Sequence, residues 1–216
     1  MSLLFLEKVP GDKAAFAKGV KALASKYGIN PNWLMALMNS ETGGSFRADQ
    51  RNAAGSGATG LIQFMPATAR SLGTTTDYLA SLTNVQQLAW VDKYIAYTMK
   101  YLGVDKIKDY DDLYLLIFYP KAVGQKDSYV IAKPDTITYA QNKGIDLKGN
   151  KDGILTVSDF KSFIRTYIPK DQLWQFTRKN RYAILYWVIG GTVVCFVIWY
   201  AWHKGYLKKA YSNLSA

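Results

Sequence analysis

Asn30-Pro31-Asn32-Trp33-Leu34-Met35-Ala36-Leu37-Met38-Asn39-Ser40-Glu41-Thr42-Gly43-Gly44 reads as one short helix with a carboxyl group at its end. Asn30 is a good cap because its side-chain oxygen can accept from the free amides of the first turn, and Pro31 stands where a missing amide hydrogen is tolerated. Thr42-Gly43-Gly44 ends the helix. Leu34, Leu37 and Met38 lie seven, four and three residues before Glu41, so the four side chains share a face and the carboxyl falls on an apolar stripe. Burial disfavours the ionised form and raises a carboxyl pKa, which keeps an acid protonated near neutral pH for donation to a leaving oxygen. A glutamate at a helix end can equally turn into solvent, and the helix alone leaves both readings open.

Outward from this segment the helical pattern continues. Asp12 caps a helix whose apolar positions Ala14, Phe16, Val20, Leu23 and Tyr27 follow helical spacing up to Gly28. Residues 52–60 are rich in Gly, Ala and Ser and read as a loop before a helix over Pro66 to Ser71. Further helices are expected around Val85 to Leu102 and Tyr110 to Phe118, and no convincing alternating strand is present. The fold class is therefore mainly α. Across 216 residues, 49% are hydrophobic and 20% charged, a composition of folded chains. The single histidine, His203, and the single cysteine, Cys195, both fall outside this body. Ser-His-Asp and Cys-His catalysis, His or Cys zinc sites and an intrachain disulfide are thereby excluded. Carboxylates, lysines and tyrosines remain for acid-base work.

Glu41-Thr42-Gly43-Gly44-Ser45-Phe46, followed by Gly55-Ser56-Gly57-Ala58-Thr59-Gly60-Leu61-Ile62-Gln63-Phe64-Met65-Pro66-Ala67-Thr68-Ala69, resembles the soluble lytic transglycosylases and their lysozyme-like phage relatives. The resemblance implies a lysozyme-like helical domain over residues 1–140, peptidoglycan as substrate and Glu41 as the catalytic acid. It also implies Ser45, Gly60, Gln63 and Tyr119 as substrate-binding residues. Tyr119 stands in Phe118-Tyr119-Pro120-Lys121-Ala122-Val123-Gly124, which resembles the family's Tyr-Asn-Ala-Gly element with Pro120 in place of asparagine. Glycosidases usually need two carboxylates, and no second one stands in a matching motif. The family resemblance implies a reaction needing only one, in which Glu41 acts first as acid and then as base to close a 1,6-anhydro ring. No cofactor is required for such a reaction.

Residues 141–169 form an expected appended segment. Asn150, Asp152, Gly153 and Asp159 fit positions 3, 5, 6 and 12 of a calcium loop, with Asp146 as a displaced first ligand because Lys148 takes position 1. The stretch resembles EF-hand-like loops, and its alternatives are bound Ca2+ or a metal-free turn held by Asx hydrogen bonds.

After an expected linker over residues 170–181, residues 182–202 carry no charge, and as a helix would span about 31 Å, matching a hydrocarbon core of about 30 Å. Aromatic residues at both ends and basic flanks, including a basic tail over residues 203–216, complete the pattern of a single transmembrane helix. The net charge of +11 suits an anionic partner, but no nucleic-acid motif is present and no specific nucleic acid is expected. Met1 to Pro10 lacks a secretory signal pattern. The combined expectation is a peptidoglycan lytic transglycosylase held in a virion membrane, in contact with lipid and other virion proteins and used for host-wall penetration. The alternative is a non-catalytic glycan-binding or structural virion protein on the same fold.

Overall fold

A computed structural model describes residues 2–176 together with 188–189 and 192–193. Helix α1 (Lys13–Tyr27) is capped by Asp12, which accepts from the Ala15 amide, and closes at left-handed Gly28. Helix α2 (Pro31–Glu41) starts at Asn30, whose side chain accepts from the Asn32 amide. The expected apolar stripe on α2 is wider than one face. Leu34, Met35, Ala36, Leu37 and Met38 are all at most 1% exposed, so this helix runs through the core rather than over it. It packs on α1 and on α6 (Tyr110–Phe118), and α5 (Asn84–Leu102) packs on both of those.

The short helices α3 (Pro66–Ser71) and α4 (Thr76–Ser81) lead into α5, which opens with a reciprocal cap between Thr83 and Gln86. Beyond α6 come β1 (Val130–Ala132), α7 (Ile137–Asp146), β2 (Leu155–Thr156) and α8 (Val157–Arg165). The β1–β2 ladder is antiparallel and broken by one irregularity. Strands of two and three residues are too short to show alternation, so the sequence pattern passes over them. Residues 137–165 do not stand apart from the rest, and Met1–Thr177 form one compact unit. Phe160 stacks on Phe118 with centroids 4.6 Å apart and meets the edge of Tyr114. Arg165 grips Asp111 of α6 through both carboxylate oxygens, at 2.7 and 3.0 Å.

Inside the expected linker, the turn Lys170–Gln175 folds back onto the start of α2. Gln175 accepts from Asn32 Nδ2 at 2.7 Å, its carbonyl accepts from Trp33 Nε1 at 2.8 Å, and Phe176 meets Tyr110 edge-on.

The expected transmembrane helix, and with it the single-pass membrane location, is corrected. No helix among the described residues is long and apolar enough to cross a membrane. Within 182–202 the described residues are β3 (Val188–Ile189) and β4 (Thr192–Val193), paired antiparallel. The sequence places Gly190-Gly191 between two pairs rich in β-branched residues, a hairpin signal that competes with the apolar-run reading. The rest of 182–202 and the tail 203–216 lie outside the described residues.

Candidate active site

Glu41 closes α2, and the turn after it is locked. Thr42 Oγ1 donates to the Met38 carbonyl at 2.6 Å and accepts from the Phe46 amide at 3.0 Å. The Gly44 amide donates to the Asn39 carbonyl at 2.7 Å, and Gly43 and Gly44 take positive φ, which allows the chain to reverse at once. Phe46, fully buried against the edge of Phe16, anchors the far side of the turn. The carboxyl thus sits at the end of a tightly bonded turn, on the wall of a cavity of about 290 Å3. Tyr114 and Phe118 of α6, Gln141, Asn142, Gly144 and Ile145 of α7, and Phe160 and Phe163 of α8 complete the lining.

Burial pushes the Glu41 carboxyl up to about 7, against a smaller downward pull from a hydrogen bond with Tyr114. Its place at the C-terminal, negative end of α2 acts in the same upward sense. Tyr114 Oη also lies 3.0 Å from Ser40 Oγ. Burial raises the phenol pKa of Tyr114, Tyr110 and Tyr94, and the Glu41 charge adds to the rise in each. Tyr94 donates to the carbonyl of Leu116 or Ile117 and sets its ring edge against Phe64. Three tyrosines therefore sense the carboxyl, and sequence reasoning passed over all of them. The available signal was the pair Tyr110 and Tyr114, four apart on one face of an otherwise apolar helix.

The structure distributes the other expected substrate-binding residues differently. Tyr119 is half-buried at the end of α6, packed on the core's edge, and is not part of the cavity lining. Gln63 adopts a left-handed backbone, φ 51°, and its Nε2 donates to the carbonyls of Gln50 and Gly60. Ser45 Oγ pairs with Gln50 Oε1 at 3.0 Å. Gly60 is buried, with the side where a Cβ would stand filled by the Gln87 amide. Gln87 itself, fully buried, accepts from the Leu61 amide and donates to the carbonyls of Ala48 and Leu79. Ser45, Gly60 and Gln63 thus build the loop after Glu41, while the cavity wall comes from α6, α7 and α8.

Most side-chain oxygens of the loop expected as a calcium site are used internally, while Asp146 Oδ1 is buried with no hydrogen-bond partner. Asp159 accepts from the amides of Asn150 and Thr156 and from the Thr156 hydroxyl. Asn150 and Asp152 bond each other, and Asp152 accepts from the Ile154 amide. Asp146, buried, accepts from the Tyr139 hydroxyl and the Gly153 amide. Lys148, at the first ligand position, sets its ammonium over the rings of Phe163 and Tyr167. Among the described residues no three His, Cys, Asp or Glu side chains converge on a point where a metal could sit. Asn150, Asp152 and Asp159 thus serve Asx turns and a helix cap, whereas a Ca2+ cage takes six to eight oxygens.

A single carboxyl raised toward neutrality at the wall of a cavity has the properties that acid catalysis requires. Residues 19–119 match the family described as Transglycosylase SLT domain, a span that holds Glu41, Gln63 and Tyr119 but none of α7 or α8. The match supports peptidoglycan lytic transglycosylase activity in general and peptidoglycan as substrate, and it carries nothing on virion association or host entry. No solved structure matches the chain.

Proposed function

We propose that the chain cleaves the β-1,4 bond between MurNAc and GlcNAc in peptidoglycan as a lytic transglycosylase, with Glu41 as both acid and base. The observation that carries this reading is the Glu41 carboxyl, raised to about 7 at the wall of a cavity. Protonated, Glu41 gives its proton to the glycosidic oxygen. The bond from MurNAc C1 to that oxygen breaks, GlcNAc leaves with a 4-hydroxyl, and the N-acetyl oxygen shields the developing charge at C1. The carboxylate then takes the proton of the MurNAc 6-hydroxyl, whose oxygen closes on C1 to give the 1,6-anhydro sugar. One carboxyl returns to its starting state, and no water is consumed.

Mass spectrometry of peptidoglycan digested by the full chain tests the reading. Products one water lighter than hydrolytic muropeptides are expected, and Glu41→Gln should lower their release by about a hundredfold or more. Muropeptides carrying the extra water would replace the lyase with a hydrolase. Equal release by both proteins would remove Glu41 from the chemistry.

A further inference from the structure

The cavity beside Glu41 has an outer wall that the family match does not reach, since Gln141, Asn142, Gly144, Phe160 and Phe163 all lie beyond residue 119. Apart from Glu41, the lining holds no carboxylate or cation. This is pronounced in a chain of net charge +11, and it disfavours the carboxylate-bearing lactyl-peptide arm of MurNAc, which would need a cationic partner. Amides suit the other sugar. Asn142 Nδ2 donates to the Thr138 carbonyl at 2.9 Å, which fixes the amide plane and leaves Oδ1 as the acceptor. Exposed Gln141 supplies both a donor and an acceptor. Half-buried Phe163 lines the cavity with an aromatic ring that also carries the Lys148 ammonium, outside the lining, 5.1 Å from its centroid, and Gly144 has no side chain to crowd a pyranose. A volume of about 290 Å3 stands at the small end of ligand sites, room for a single sugar rather than a length of chain.

We infer that α7 and α8 form the leaving-sugar subsite, in which Gln141 and Asn142 hold the neutral N-acetylglucosamine whose 4-oxygen receives the Glu41 proton. The assignment rests on the transglycosylase reading of Glu41. Gln141 and Asn142 select the sugar and take no part in the proton transfers.

Two measurements on the full chain separate the subsite from the reaction. In steady-state digestion of peptidoglycan, Gln141→Ala and Asn142→Ala should each raise KM by up to about tenfold, the loss of one or two neutral hydrogen bonds. The kcat, the pH profile and the melting temperature should stay at wild-type values. In a binding titration with N-acetylglucosamine trisaccharide, Glu41→Gln should bind, and Glu41→Gln combined with Asn142→Ala should bind about tenfold more weakly. Should Asn142→Ala melt early, exposed Gln141→Ala carries both tests. Wild-type cleavage of peptidoglycan with unchanged KM in both variants would overturn the subsite and leave the reaction standing. Trisaccharide binding that depends on Asn142, in a wild-type protein that releases no muropeptides, would keep the subsite and overturn the reaction.

Discussion

Two opposed influences set the protonation of Glu41: burial raises its pKa, and the Tyr114 hydrogen bond lowers it. A general acid works only while protonated, so the activity of the wild-type chain should fall as pH rises through about 7. Tyr114→Phe removes the lowering influence, together with the Tyr114 hydrogen bond to Ser40, and keeps the ring. Its falling limb should move to higher pH, which a pH profile of muropeptide release reads directly, and an unmoved limb would show that Tyr114 does not tune the acid. The same raised pKa acts on stability, because the folded protein holds a proton that the unfolded chain releases near 4.5. Stability from this group is therefore complete below about pH 4.5 and is lost as pH climbs to about 7. The shift corresponds to ~3 kcal/mol. Glu41→Gln, which cannot ionise, should match wild type in melting temperature at pH 4 and exceed it at pH 8. A constant difference across that range would mean that the carboxyl is not buried in solution.

Between elements, the loop from Gln50 to Phe64 is organised by one amide. Gln87 reaches from α5 to bond Leu61, Ala48 and Leu79, and it lies where any Cβ on residue 60 would stand. Gly60 has φ 80°, so Gly60→Ala meets both a collision and a left-handed backbone. A loss of roughly 2–4 kcal/mol in urea unfolding is expected. A variant as stable as wild type would show that the loop can shift without cost. Helices α1, α2, α3, α5 and α6 were legible because caps, Pro31 and apolar spacing all point the same way. Position and apolar surroundings leave Glu41 open between a buried and a solvated reading, and the resemblance carried by residues 41–69 is what singles it out. The cavity wall was not legible, because Gln141, Asn142 and Phe163 gain meaning only when α7 and α8 fold against α6, and local pattern does not encode that pairing. The motif alone marks Gly60 and Gln63 as substrate-binding, and the structure places them in the loop after Glu41, against Gln87 and Gln50 and outside the cavity lining. The apolar run at 182–202 misled because hydropathy alone outweighed the paired glycines and β-branched residues within it.

At the scale of the molecule, the unit from Met1 to Thr177 is closed by contacts that join distant parts of the chain. Asp111 with Arg165, Phe118 with Phe160, and Tyr110 with Phe176 fasten the later helices to α6. A chain stopped at Pro169, the end of the helical body as sequence pattern defines it, loses Gln175 and Phe176. Removing a fully buried phenylalanine and two hydrogen bonds should lower the melting temperature by ~10 °C, as read by calorimetry. An unchanged transition would show that the turn at Lys170–Gln175 is only draped over the surface.

That turn also sets an order of events during synthesis. The helix carrying the acid is clasped at its opposite end, through Asn32 and Trp33, by a residue more than 140 positions later. A ribosome must therefore deliver almost the whole of this unit before the clasp can close. Until residue 175 has been made, the start of the acid-bearing helix lacks these two partners, and a fragment that stops earlier leaves Asn32 and Trp33 unclasped.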